Sequence, residues 1–443
     1  MSAFPRLLLA LPDGTVTEHP QLLAPVRSAD SIGPPRSGDR PLPLPDGATL
    51  ANLPGQRPVG LDPETLEPTV LHEVRLGRKL VTPDAVAAVL PPGYTRTYLP
   101  AAHRTPLAPT LSQWAYTAPG FLDGRIVVHA LHTDRRTHWN PAARSTPALA
   151  RLVEERREES GLTRQLSRCA LEYRCFTAQN VFLARDEGAI PSSAGCNARC
   201  VGCISEQPEG GGVASHERLA RAPSSEEMAA LGLRHLSTAS ESAPGRAMIS
   251  FGQGCEGEPL TRAHAIAQAI SRIRARTSRG SINVNTNASR PEALELLIDA
   301  GLDACRVSLN SARAPLYDAY YRPVGYTLDD VRQSLRLARD AGVYVALNLL
   351  VFPGITDREG EVEALSQLIG ESGVRQVQTR NLAIDPETYL AVARPTASPD
   401  APLGIAPMIR RFRREHPGLV IGNFARGLRE RGHVRADRSV GSD

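Results

Sequence analysis

Lysine is almost missing from this 443-residue chain. Lys79 stands alone in a combined lysine and arginine count of 51. With 47 acidic residues, the net charge is only +4, and acids are interspersed among the arginines. So small and mixed a charge offers no broad basic face, which argues against a nucleic-acid partner. The 37 prolines and 36 glycines point instead to a compositional bias and to much irregular structure. Long apolar runs are lacking too, and nothing approaches a membrane-spanning helix. The opening MSAFPRLLLALPDG has one arginine and an apolar run cut short by a turn, too short for a signal peptide. Seven cysteines, an odd number, in a chain with no export signal suggest a reducing cytoplasm. Their thiols are then reactive or metal-bound rather than paired.

Residues 1–150 alternate short apolar runs with Pro-Asp-Gly and Asp-Gly turns, as in LLLALPDGTV and FLDGRIVVHAL. The pattern predicts a β-rich N-terminal region, a substrate or accessory domain. One short helix is expected, in VTPDAVAAVL, with Thr82 as cap, Pro83 at the first helical position and Pro91-Pro92-Gly93 as stop. His129 and His132 would face opposite sides of a strand and read as ordinary histidines. Residues 151–184 read as a helical linker, with one charged helix from about 146 to 168. Cys169 and Cys175 follow, as inert buried thiols or as two ligands of a second cluster.

Past residue 188 the period changes. Strand-like apolar runs alternate with amphipathic helices in six βα units, an α/β pattern expected over 185–415. Ser224 and Glu227 form a capping box, Pro291 opens a helix and Gly301 closes it. Six units curl into a partial (β/α)6 barrel rather than the closed barrel of eight. Residues 416–443 read as a polar C-terminal tail.

The first unit leads into GAIPSSAGCNARCVGCIS, where Cys196, Cys200 and Cys203 fall inside eight residues, spaced C-x3-C-x2-C. Three thiolates are one short of a closed zinc tetrahedron or a four-cysteine cluster, so a metal centre on them keeps an open position. Polar residues also gather at the C-terminal ends of the strands, where parallel α/β folds bind ligands. Gly252 to Pro259 follow strand two, and Asn285, Thr286 and Asn287 end strand three. Ser308 and Asn310 end strand four, Asn348 lies in strand five, and Gln378 and Arg380 close strand six. Tyr317, Tyr320, Tyr321 and Arg322 stand above strand four, as a substrate wall or as a packed helix start. Cys255 is either a catalytic thiol that donates a hydrogen atom or a small residue required by its loop.

The C-N-A-R-C-V-G-C spacing resembles that of the radical S-adenosylmethionine (radical SAM) superfamily, and the units that follow resemble its partial (β/α)6 barrel, over roughly 185–415. The resemblance implies a [4Fe–4S] cluster on Cys196, Cys200 and Cys203, with S-adenosyl-L-methionine on the open iron. It implies contacts to that cofactor from Gly254, Glu256, Gly257 and Glu258, and from Ser308, Asn310, Asn348, Gln378 and Arg380. The implied partner is a small electron carrier of the flavodoxin or ferredoxin type. Its electron would release methionine and a 5′-deoxyadenosyl radical, which takes hydrogen from an unidentified substrate, a peptide or small metabolite. Gly202 departs from the family, many of whose members carry an aromatic residue there; the adenine must pack elsewhere, on Ile204 or the strand-five loop. Two alternatives stay open. The Gly257-Glu258-Pro259 phrase resembles radical methyltransferases that modify RNA, and three cysteines also suit a zinc or iron–sulfur interaction protein without turnover.

Overall fold

Runs such as MISF and YVALNLLV are apolar on both faces, which suits a sheet covered on both sides. The computed structural model describes residues 4–136, 147–207, 213–242 and 245–427. Seven strands pair in parallel and in chain order: β1 (Glu187–Ile190), β2 (Met248–Phe251), β3 (Ser281–Thr286), β4 (Ala304–Leu309), β5 (Tyr344–Val351), β6 (Gln376–Asn381) and β7 (Val420–Gly422). Among the described residues β1 and β7 do not pair, so the barrel stays open. Register sets the inward rows: Ser308 lies opposite Asn348, and Asn348 opposite Gln378.

The helix signals expected in this half are built as read. Ser224 and Glu227 exchange hydrogen bonds, Ser224 N to Glu227 Oε2 at 2.8 Å and Glu227 N to Ser224 Oγ at 3.1 Å. Pro291 opens the helix Pro291–Asp299, and Gly301 follows at φ +114°. β7 is a correction, since it falls in the segment read as tail. Ile421 is buried, and β7 pairs with β6 through Ile421 and Gly422. An apolar pair inside a polar stretch is enough to finish a sheet whose edge is already laid. Residues 428–443 of that segment lie outside the described residues.

The linker also differs from expectation. The charged helix is two, α1 (Pro147–Arg156) and α2 (Gly161–Leu171), followed by α3 (Phe176–Leu183). Ser160 caps α2 by accepting from Thr163 N, while Thr163 Oγ1 accepts from Ser160 N, and a helix that starts afresh there cannot be continuous.

Residues 4–136 are β structure with no α-helix among those described. The helix expected near residues 82–90 is the strand Asp84–Val89, paired on one side with Thr49–Leu53 and on the other with Arg6–Ala10. Thr82 therefore has no helix to cap, and Asp84 Oδ1 accepts from Gly55 N at 3.2 Å and Arg57 Nη1 at 2.8 Å. Pairing on both edges overrides a local cap signal, and Val86 and Val89 suit a pleat.

This β region docks on the rim where β5 and β6 end. Arg96, fully buried, donates to the carbonyls of Leu382 at 2.8 Å and Tyr116 at 3.1 Å and lies over the Phe352 ring. Burial pushes its pKa down to about 9. Arg96→Met strands those carbonyls, and we expect a loss of about 3 kcal/mol in denaturant melts.

Candidate functional site

The cysteine loop leaves β1 and is held by backbone bonds that need no metal. Arg199 N and Val201 N donate to the carbonyls of Tyr321 and Tyr320, each at 2.9 Å, at the end of the helix Ala314–Tyr321. From the turn after β2, Gly257 N donates to Ser193 O and Glu258 N to Gly195 O, each at 2.8 Å. That contact explains Gly257: a Cβ there would stand 1.9 Å from Gly195 O. Backbone on backbone has no room to give, so Gly257→Ala should destabilise the protein by roughly 3 kcal/mol in thermal or urea melts, at the upper end of ordinary overpacking.

Both glutamates of the turn are buried, and they differ in what they leave free. Glu258 is spent: Oε1 accepts from Leu260 N and Thr286 Oγ1, and Oε2 from Asn287 N at 2.8 Å. Glu256 Oε2 accepts from Ser192 N at 2.6 Å, Ser192 Oγ at 2.9 Å and Ser193 N at 2.7 Å. Its Oε1, although buried, has no partner among the described residues. Burial pushes the Glu256 carboxyl up to about 8 against the pull of those donors.

These elements enclose a cavity of about 490 Å3 at the C-terminal ends of the strands, within the usual range for small-molecule sites. Cys196, Cys200 and Cys203 line it, together with Gly254, Glu256, Gly257, Glu258, Ser308, Asn348 and Arg380. Burial raises the Cys200 thiol well above the usual range, and the charges of Cys196 and Cys203 add to this; burial also raises Cys196. Crowded thiols of this kind give up their protons to solvent readily only when a metal cation takes their place. Among the described residues no group of three or more His, Cys, Asp or Glu side chains is arranged to hold a single metal ion.

Other residues expected at the site lie outside it. Asn310 and Gln378 are buried behind the lining, and Gln378 Oε1 accepts from Arg380 Nη2 at 2.7 Å. Tyr321 reaches the cavity, whereas Tyr317 and Tyr320 pack in the core around it and Arg322 is exposed at the helix end. Tyr320 accounts for Gly202. A Cβ on Gly202 would lie 2.8 Å from the Tyr320 hydroxyl and 3.3 Å from Ile384 Cδ1, so the space for an aromatic side chain is already filled. Ile204 does line the cavity.

Cys255 is buried with its Sγ 3.5 Å from Cys169 Sγ, and it is not among the lining residues. Cys175 is one of them, its Sγ 3.2 Å from Thr177 Oγ1. Sequence reasoning also passed over Glu187 and Arg306, paired at 3.0 Å on the cavity floor. Arg306 sits two residues before Ser308, so strand alternation alone places both on one face. Pro92 and Gln113 come from the β region; Pro92 lines the cavity and Gln113 Nε2 donates to Cys203 O at 3.0 Å.

Residues 190–365 match the family model described as the radical SAM superfamily. No curated protein matches the chain in sequence. Among solved structures it is similar to a radical SAM methyltransferase from Sphaerobacter thermophilus, at 20% identity over 55% of this chain and 66% of that one, with a TM-score of 0.37. It is similar to Streptococcus suis SuiB bound to its precursor peptide SuiA, at 15% identity over 50% and 43%, TM-score 0.33. It is also similar to a spore photoproduct lyase with bound AdoMet and dinucleoside spore photoproduct, at 14% identity over 61% and 96%, TM-score 0.37. The chain spans less than two thirds of the first two of these proteins. No helix among the described residues is long and apolar enough to cross a membrane. Residues 190–365 therefore form a radical SAM superfamily domain.

Proposed function

We propose that the protein cleaves S-adenosyl-L-methionine reductively at a [4Fe–4S] cluster held by Cys196, Cys200 and Cys203, and directs the resulting 5′-deoxyadenosyl radical at a substrate in the same cavity. The observation that supports this best is the shared wall: three thiols of one loop line one cavity with Glu256, whose buried Oε1 has no partner among the described residues. Three soft donors suit an iron–sulfur cluster with one open position. A buried carboxylate oxygen without a donor suits an ammonium group, which the methionyl end of the cofactor brings. When bound, the cluster supplies the electron for carbon–sulfur cleavage. The chain itself orients and shields: Glu256 takes the ammonium, Ser308 and Asn348 offer hydrogen bonds from β4 and β5, and Ile204 gives the adenine an apolar face. Residues 4–136, through Pro92 and Gln113, close the substrate side and keep water from the radical.

Anaerobic reconstitution with iron and sulfide tests the cluster. About four irons per chain and a brown protein are expected. A colourless protein holding a single tightly bound zinc would defeat the proposal.

A further inference from the structure

We propose that Arg380 is the docking point for an anionic group, a carboxylate or phosphate, on the molecule the enzyme acts on; this rests on the functional reading above. Of the ionic side chains around the cavity, Glu187 and Arg306 neutralise each other at 3.0 Å, and Arg218 is paired with Glu206. Glu258 is committed to Thr286 and two backbone amides, and Glu256 keeps one oxygen for the cofactor's ammonium. Arg380 has no such match. Its Nε donates to Asn348 Oδ1 at 3.2 Å and its Nη2 to Gln378 Oε1 at 2.7 Å. Both acceptors are neutral amides, and no carboxylate of the described residues comes within 4.0 Å. Amide oxygens aim a guanidinium without cancelling its charge, and an aimed, uncancelled guanidinium favours a planar or tetrahedral oxyanion. Burial and the nearby Arg306 charge lower the Arg380 pKa to about 10, and the more distant carboxylates of Glu187 and Asp134 offset this only in part, so an incoming anion relieves a cost already present.

Position separates this group from the cofactor's own carboxylate. In the methionyl moiety the ammonium and carboxylate share one carbon. Glu256 lies in the turn after β2, so a methionyl group held there keeps its carboxylate on the β2 side. Arg380 stands on β6, four strands further round the sheet, opposite Leu350 in register. The same cavity is also lined by Phe424, Ala425 and Pro92, which suits an apolar body behind an anionic head.

Calorimetric titration of acetate and of inorganic phosphate into the reconstituted enzyme saturated with S-adenosyl-L-methionine tests the assignment, on wild type, Arg380→Met and Arg380→Lys. The expected result is that wild type binds at least one anion, Arg380→Met binds it at least tenfold more weakly, and Arg380→Lys falls between. Preference for phosphate or for acetate names the anion class. Equal binding by wild type and Arg380→Met overturns the proposal. So does binding to the wild type that vanishes when the cofactor is added, because the cofactor's carboxylate then occupies Arg380. A wild type that takes up its cluster but not S-adenosyl-L-methionine defeats the functional reading instead, while the anion comparison between wild type and Arg380→Lys still decides the role of Arg380.

Discussion

Alanine at Cys196, Cys200 or Cys203 is expected to leave a folded protein that holds no intact cluster and forms no detectable 5′-deoxyadenosine. Each loss should be total, because a cluster with two protein ligands has no other cysteine of the loop to take up. The fold should survive because the loop is fixed by its backbone. Ser192 and Ser193 amides bind Glu256, Gly257 N binds Ser193 O, and Arg199 and Val201 amides bind the carbonyls of Tyr321 and Tyr320. None of these bonds involves a thiol. Circular dichroism and the apoprotein's thermal midpoint should therefore stay close to wild type while iron content collapses. A variant that kept its full iron would show that the ligand is another residue, with Cys175 the first to examine, since it lines the same cavity.

Replacing Glu256 by glutamine should cost about 10- to 150-fold in affinity for S-adenosyl-L-methionine, the equivalent of one charge-assisted hydrogen bond of about 1.5–3 kcal/mol. The same change should remove a pH dependence. Buried, the Glu256 carboxyl titrates near 8, above the 4.5 of an exposed glutamate. Between those values the folded protein holds a proton that the unfolded chain has lost. Its contribution to stability is thus fully present below about pH 4.5 and is lost as pH rises through about 8. Ligand binding runs the other way. An ammonium pairs with carboxylate and not with carboxylic acid, so affinity should strengthen from pH 6 toward 8 in wild type and stay flat in Glu256→Gln. Calorimetry at three pH values reads this directly. A wild-type affinity that falls over that range would separate Glu256 from the ammonium.

Much of the barrel was legible because its signals are local and repeated. The capping box at Ser224, the Pro291 start and the Gly301 stop each mark a boundary through backbone chemistry that operates without tertiary context. The cysteine triplet and the polar strand ends were legible for a similar reason, since a βα repeat sends every strand end to one rim. What escaped depends on partners distant in sequence. The strand Asp84–Val89 carries a helix start signal, and only its pairing with Thr49–Leu53 and Arg6–Ala10 decides otherwise. Cys255 reads as a catalytic thiol or a small loop residue, and only the fold brings Cys169 from α2 against it. The Gly202 departure has its cause in Tyr320, more than a hundred residues on, whose hydroxyl fills the space. Arg380 and its lack of a counter-ion are likewise invisible until the strands are laid side by side.

The most direct test is to reduce the anaerobically reconstituted wild-type protein with dithionite in the presence of S-adenosyl-L-methionine and to measure 5′-deoxyadenosine and methionine by mass spectrometry. Equal amounts of the two, dependent on reductant and absent from the Cys200→Ala variant, are expected. A protein that carries its full cluster, binds S-adenosyl-L-methionine and yields neither product on reduction would contradict the proposed function.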